Sequence, residues 1–133
     1  MPITYHVHND GHTIIAIASG VVTSEEFVEY EVAHATDERI KSPLSELLVI
    51  KAGALRNISE DDIEDVIRHR KEQPNPPMPH KCAMVISLGD AQSWDIAKFY
   101  EGMVKLHYPK TIIVFGDERI ARIWLGIEEQ DIG

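Results

Sequence analysis

The first eighteen residues alternate between apolar and polar positions, which is the pattern of β-strands with one buried face. Asp10-Gly11 interrupts the alternation and predicts a two-residue type I′ turn, because that turn requires positive φ at both central positions. The resulting hairpin has a core face that carries Ile3, Tyr5, Val7, Ile14, Ala16 and Ala18. Its opposite face carries Thr4, His6, His8, Thr13, Ile15 and Ile17. Since that second face is half polar, we expect helices to cover the sheet on one side only.

Beyond the hairpin, apolar positions recur at helical spacing in four segments, which are separated by three short and continuously apolar runs. The runs 47–50, 83–86 and 112–115 predict buried strands of the kind found in parallel sheets. Three helix starts are marked by side chains able to cap them, namely Thr23 with Glu26, Ser59 with Asp62, and Asp117. The inner stripe of the last helix is predicted to contain Ile120, Ile123, Trp124 and Ile127.

The element order is therefore a β-hairpin followed by α, β, α, β, α, β and α. This order predicts an α/β fold with a mixed sheet of about five strands, in which one hairpin strand runs antiparallel to the rest. The length of 133 residues suits a single domain, spanning 1–133. The proline-rich stretch 73–79 is predicted to be a stiff connector inside that domain.

Composition and charge argue against several classes of function. A net charge of −9 argues against nucleic-acid binding, since phosphate neutralisation needs a positive field. The single Cys82 excludes an internal disulfide and a cysteine-based metal cluster. The first residues lack the features of a signal peptide, and no apolar run has the length of a membrane span. We therefore expect a soluble cytoplasmic protein with no nucleic-acid or membrane partner.

Three stretches carry a resemblance to a known family. They are residues 20–27, residues 83–103, and the pattern F-x-D-x-x-x-A-x-x-W-L from Phe115 to Leu125. In these stretches and in its element order, the chain resembles the SpoIIAA-like (STAS-like) domains related to bacterial anti-sigma-factor antagonists, in particular their uncharacterised stand-alone bacterial branch. The resemblance implies helices stacked as a βα superhelix and a regulatory role in protein recognition.

The same resemblance makes Ser59 the candidate phosphoacceptor. In the sigma-factor antagonists a kinase phosphorylates a serine in an Asp-Ser-x-Gly-like motif before the second helix, and Ser59 occupies roughly the matching place. This chain lacks the Asp-Ser pair and the following glycine, and Glu60, Asp61 and Asp62 would repel a phosphate there. The function of a helix N-cap explains Ser59 better.

The histidines suggest a metal site but do not complete one. His6 and His8 lie two residues apart on a strand, so both imidazoles point to one face. The hairpin register sends His12 to the other face, which leaves fewer ligands than a zinc site needs. We therefore predict no metal and no other cofactor. His34 is predicted to lie on the surface, and His107 on the buried face of its helix.

No nucleophile motif, P-loop or dinucleotide fingerprint is present, and Cys82 precedes an apolar strand with no neighbouring base. In open α/β sheets, ligands gather at the carboxyl ends of the parallel strands. The polar and aromatic residues predicted at that edge, which are the candidates for a ligand or partner surface, are Arg56, Asn57, Ser59, Asp90, Ser93 and Trp94.

These observations predict a non-enzymatic binding or regulatory module that recognises a protein. The alternative is a small enzyme or small-ligand binder that uses the cleft at the strand ends, with Asp90 or Asp117 as the base. A deep pocket holding a carboxylate with a raised pKa would favour the enzyme, whereas a shallow face would favour the binding module.

The second face of the sheet also bears on oligomeric state. If all four helices cover one face, the other exposes Ile15 and Ile17, with His6 and His8 at the border. A soluble monomer usually avoids such an apolar patch. The sequence therefore predicts a homodimer that forms through this face.

Overall fold

The computed structural model describes residues 2–73 and 78–127, which form an α/β fold with one five-stranded mixed sheet and four α-helices. The strands are β1 (Ile3–His8), β2 (Thr13–Ala18), β3 (Leu44–Ile50), β4 (His80–Ile86) and β5 (Thr111–Phe115). The helices are α1 (Ser24–Thr36), α2 (Glu60–Lys71), α3 (Ala91–His107) and α4 (Glu118–Leu125). Part of the predicted proline-rich connector, 74–77, lies outside the described residues. Among the helices described, none is long and apolar enough to cross a bilayer.

The strands follow one another across the sheet in chain order, with β1 antiparallel to β2 and the remaining pairs parallel. The predicted hairpin register is confirmed, since His8 pairs with Thr13. At the turn, Asp10 has φ 54° and Gly11 has φ 97°, and the His12 N–H donates to the Asn9 carbonyl at 3.0 Å. These are the features of the predicted type I′ turn.

Three of the helices begin where the sequence places their caps. Thr23 Oγ1 accepts the N–H of Glu26, whose carboxylate accepts the N–H of Thr23 in return. Ser59 and Asp62 exchange the same pair of hydrogen bonds at the start of α2. Asp117 accepts two N–H groups from the first turn of α4. Each cap satisfies donors that the helix itself leaves unpaired, so local sequence fixes these three boundaries.

Helices cover both faces of the sheet, so the expectation of helices on one side only is wrong. Helices α1, α2 and α3 bury Phe27, Val66 and Tyr100 against one face. Helix α4 packs on the opposite face, where Ala121 and Leu125 join a separate apolar cluster with the outward-facing residues of β3 and β4. The physical reason is that β3 and β4 are apolar on both faces and need cover on both.

The position of α4 corrects two further expectations. Ile15 is covered and only 8% exposed, whereas Ile17 remains 41% exposed, so the predicted dimer face is smaller than the sequence suggested. The predicted inner stripe of α4 is also partly wrong, because Ile120 and Ile123 are 48% and 63% exposed. The residues of α4 that face the sheet are Ala121, Leu125 and the half-buried Trp124.

Candidate functional site

The carboxyl ends of the parallel strands meet at one edge of the sheet, and hydrogen bonds join the loops that follow them. The Gly53 N–H, in the loop after β3, donates to Asp90 Oδ2 at 2.9 Å. Gln92 Nε2, in the first turn of α3, donates to the Leu55 carbonyl at 2.9 Å. The loop after β3 and the start of α3 therefore form one connected surface.

An open and mainly apolar cleft of about 400 Å³ lies beside this surface, at the ends of β4 and β5. Leu88 and Trp94 line it and are 88% and 38% exposed. Gly116 lies close to both, because a Cβ added at Gly116 would come within 3.4 Å of Leu88 Cδ2 and 3.9 Å of Trp94 Cζ3. The cleft thus combines a concave surface with two hydrophobic side chains that keep substantial contact with solvent.

Asp90 lines the cleft but already has structural partners. Its carboxylate accepts the Gly53 N–H and, as the N-cap of α3, the Ser93 N–H at 3.3 Å. These groups, Gly53 first, lower the pKa of Asp90. A general base at neutral pH works best with a pKa raised towards that pH. Asp90 therefore has the electrostatics of a helix cap and lacks those of a base.

The structure brings together two of the six residues predicted for a ligand or partner surface, since Asp90 and Trp94 both line the cleft. Arg56, Asn57 and Ser59 are exposed on the neighbouring loop and at the start of α2. Ser93 is buried beneath the first turn of α3. Leu88 was not among the predicted residues, because sequence reasoning selected polar and aromatic groups at the strand ends.

The hairpin histidines lie as predicted. His6 is exposed and His8 half-buried, and their ring centroids are 6.4 Å apart on the same strand. His12 Nδ1 lies 3.1 Å from the Pro43 carbonyl oxygen, in the turn region. The hairpin by itself thus supplies two imidazoles to one face.

A second group of ionisable side chains lies at the opposite, amino-terminal end of the parallel strands, and the sequence analysis missed it. Two of its side chains come from α1, one from β3, one from β4, and one from the residue directly before β5. All are buried, with no residue more than 8% exposed. This buried polar cluster consists of Glu31, His34, Glu46, His80 and Lys110.

Each carboxylate of the cluster has one oxygen held by a tyrosine. The Tyr30 hydroxyl donates to Glu46 Oε2 at 2.5 Å, and the Tyr100 hydroxyl donates to Glu31 Oε1 at 2.5 Å. His80 Nε2 lies 2.8 Å from Glu46 Oε1, so this nitrogen is the donor to a carboxylate acceptor. The second oxygen of each carboxylate points towards the interior of the cluster.

Lys110 balances part of the buried negative charge. Its Nζ lies 3.7 Å from both Glu31 Oε2 and Glu46 Oε1. Burial by itself raises the pKa of both carboxyl groups, but the Lys110 ammonium lowers the pKa of Glu31 and holds that of Glu46 well below its usual range. Burial lowers the pKa of His80, which is therefore neutral near pH 7. Without His34, the cluster carries two negative charges and one positive charge.

Two histidine predictions are wrong. His34 was expected on the surface, but its side chain is completely buried in the cluster. His107 was expected on the buried face of its helix, yet it is exposed at the end of α3. Both residues lie in helices, as predicted. How deeply a helix face is buried, however, depends on the strands and helices packed against it, and the sequence of the helix alone does not show these.

The chain matches no family model, and comparisons with curated proteins and with solved structures found no similar protein. The resemblance to SpoIIAA-like domains thus stays a prediction, and both candidate sites rest on the residues and geometry of this chain.

Proposed function

We propose that the protein is a non-enzymatic, regulatory binding module of STAS-like type that recognises a protein partner in the cytoplasm through the cleft at the ends of β4 and β5. The observation that carries the proposal is the 88% exposure of Leu88 beside Trp94 in an open apolar cleft. Exposed apolar surface costs free energy in water, and clustered exposed hydrophobic residues mark interaction sites. Tryptophan is also among the residues that contribute most to protein interfaces.

The shape and electrostatics of the cleft favour binding over catalysis. The cleft is open, and two carboxylates, those of Asp90 and Asp95, line it. Asp90, the candidate base, has a lowered pKa and accepts hydrogen bonds from two backbone N–H groups. Asp117, the other candidate base, is engaged as the N-cap of α4. A protein side chain inserted between Leu88 and Trp94 needs no catalytic group.

A small apolar ligand is the second candidate, and the cleft volume favours it. About 400 Å³ lies within the usual range of small-molecule sites, roughly 300–1,000 Å³. Trp94 would report such a ligand by fluorescence, provided that Trp124 on α4 is first replaced by phenylalanine. Saturable quenching by a fatty acid or another apolar probe, without any protein partner, would favour this second candidate.

The test of the proposal compares Leu88→Asp with Leu106→Asp. Leu106 is a matched control, because it is also a highly exposed leucine (77%) but lies near the opposite end of α3. Proteins captured by the wild-type chain from its host lysate are identified by mass spectrometry, and each is then purified and titrated. We expect a partner whose affinity falls at least about tenfold with Leu88→Asp and stays unchanged with Leu106→Asp. If every captured protein binds both variants equally, the cleft is not the recognition surface.

A further inference from the structure

His34 has one ring nitrogen whose surroundings require a cation. Its Nδ1 lies 3.0 Å from the Tyr30 carbonyl oxygen, which only accepts hydrogen bonds, so Nδ1 carries the proton. Its Nε2 is buried without a hydrogen-bond partner and faces Glu31 Oε2 at 3.4 Å and Glu46 Oε1 at 3.9 Å. In a neutral ring, the lone pair of Nε2 would face two carboxylates. A proton or a metal ion between these three atoms removes that repulsion.

The donor atoms also have the spacing of a metal site. His34, Glu46 and His80 each offer one ligand atom, and these three atoms all lie within 4.8 Å of one another. Glu31 Oε2 lies outside that group but only 3.4 Å from His34 Nε2, so it is the nearest further carboxylate oxygen. Tetrahedral zinc takes imidazole nitrogen and carboxylate oxygen at about 2.0–2.2 Å, which places neighbouring ligand atoms roughly 3.3–3.6 Å apart. The distances of 3.4 and 3.9 Å from His34 Nε2 are close to this range. For His80 Nε2 to bind zinc, the proton that it donates to Glu46 has to move to Nδ1, which has no hydrogen-bond partner among the described residues. The distance of 2.8 Å between His80 Nε2 and Glu46 Oε1 also has to increase by about half an ångström to reach the spacing of zinc ligands.

Outer hydrogen bonds already orient three of the four donors. The Tyr30 carbonyl accepts from His34 Nδ1, and the Tyr30 hydroxyl donates to the oxygen of Glu46 that points away from the cluster. The Tyr100 hydroxyl does the same for Glu31. Histidine and carboxylate ligands in metal proteins have such second partners, which fix the ring tautomer and aim the ligating atom.

In contrast to the sequence-based prediction of no metal, we propose that His34, Glu46 and His80, with Glu31 as the fourth ligand, form a zinc-binding site between α1 and the amino-terminal ends of β3 and β4. Lys110 is the cation that competes for this position, since its Nζ lies 3.7 Å from both inward-pointing carboxylate oxygens. A narrow crevice bordered by Glu31, Lys110 and Tyr100 reaches the cluster beside α3. Zinc binding therefore depends on how far the Lys110 side chain withdraws towards that crevice.

The role of Lys110 gives the proposal a direct test. Untagged protein is treated with a chelator and titrated with zinc against a chromophoric competitor, and with cobalt(II) while its visible absorption is recorded. We expect one zinc per chain, a tetrahedral cobalt spectrum, and at least about tenfold tighter binding in Lys110→Met, which removes the competing charge. His34→Asn should weaken binding by more than about tenfold, whereas His6→Asn on the exposed hairpin face should not change it.

The wild-type chain supplies a readout that needs no variant. Zinc should shift the ring-nitrogen NMR resonances of His34 and His80 and leave those of His6 and His8 in place. The proposal is overturned if neither the wild-type chain nor Lys110→Met binds one zinc at micromolar concentrations, or if zinc moves only the hairpin histidines. Ring-nitrogen resonances of His34 that do not change when zinc is added would also overturn it, because Nε2 would then not be a ligand.

Discussion

At the residue scale, Gly11 is the position where the backbone conformation and the neighbouring atoms most strongly exclude any residue other than glycine. It adopts φ 97° in the hairpin turn, and its carbonyl accepts the Lys41 N–H at 2.9 Å. A Cβ at this position would lie 2.1 Å from the carbonyl oxygen of Arg39. We expect Gly11→Ala to lower the free energy of unfolding by roughly 3 kcal/mol, because left-handed strain is added to a backbone clash. Urea denaturation monitored by circular dichroism measures the loss.

Gly20 provides the matched control for this prediction. It also has positive φ, 73°, but a Cβ there meets no atom within 4 Å. Gly20→Ala should therefore show the strain alone, about 1–2 kcal/mol. Equal losses in the two variants would mean that the hairpin tip does not dock against 39–41 as described.

Single residues also show what the sequence could and could not predict. The caps at Thr23, Ser59 and Asp117 and the turn at Asp10-Gly11 were predictable, because each depends on a few neighbouring residues. The burial of His34 was not, because His34 packs against Glu46 of β3 and His80 of β4, which are distant in the sequence. Helix caps and turns depend on a few neighbouring residues in the sequence, whereas the burial of a side chain depends on how the sheet and the helices pack together.

At the element scale, strand length explains why the buried polar cluster was missed. Strands β3 and β4 begin three residues before the apolar runs from which they were predicted. The extra residues include Glu46 and His80, which alternate in phase with the buried Leu48 and Met84. Had period-two alternation been continued past the polar residues, both side chains would have been assigned to the core face. In the sequence, this site is therefore indicated by an ionisable residue that lies two or four positions from a buried apolar residue of the same strand.

Two substitutions in α4 test which face of this helix packs on the sheet, the point on which the structure differs from the sequence-based prediction. Leu125 is 7% exposed and packs on the second face of the sheet, while Ile123 is 63% exposed. We expect Leu125→Ala to cost about 2–4 kcal/mol, since it opens a cavity, and Ile123→Ala to cost less than about 0.5 kcal/mol. Thermal and urea unfolding of the two variants distinguish the orientations. The reverse ranking would support the inner stripe predicted from the sequence.

At the scale of the whole molecule, the two ends of the parallel strands have different chemistry. The carboxyl ends carry an open, apolar cleft with exposed Leu88, whereas the amino ends enclose the buried polar cluster. The general rule for open α/β sheets predicted the first site and gave no indication of the second. Because the two sites lie at opposite ends of the parallel strands and share no lining residue, changes at Leu88 and at His34 should act independently on partner binding and on zinc binding.

The homodimer stays a prediction, and the structure narrows the surface that it requires. With Ile15 buried in the apolar cluster that includes α4, the uncovered part of the second face lies over β1 and β2 and contains Ile17, His6 and the half-buried His8. Burying Ile17 against its symmetry mate would contribute at most a few kcal/mol before association entropy is subtracted, so we expect a weak dimer. Light scattering on a size-exclusion column should give a mass approaching twice 15.0 kDa at high protein concentration. That mass should fall on dilution.

Two variants locate the interface of such a dimer. Ile17→Asp places a charge on the uncovered face and should convert the dimer to a monomer, whereas Ile123→Asp, on the outer side of α4, should leave it intact. A mass near that of one chain at every concentration would refute the dimer. A dimer that survives Ile17→Asp but is lost with Ile123→Asp would move the interface to α4.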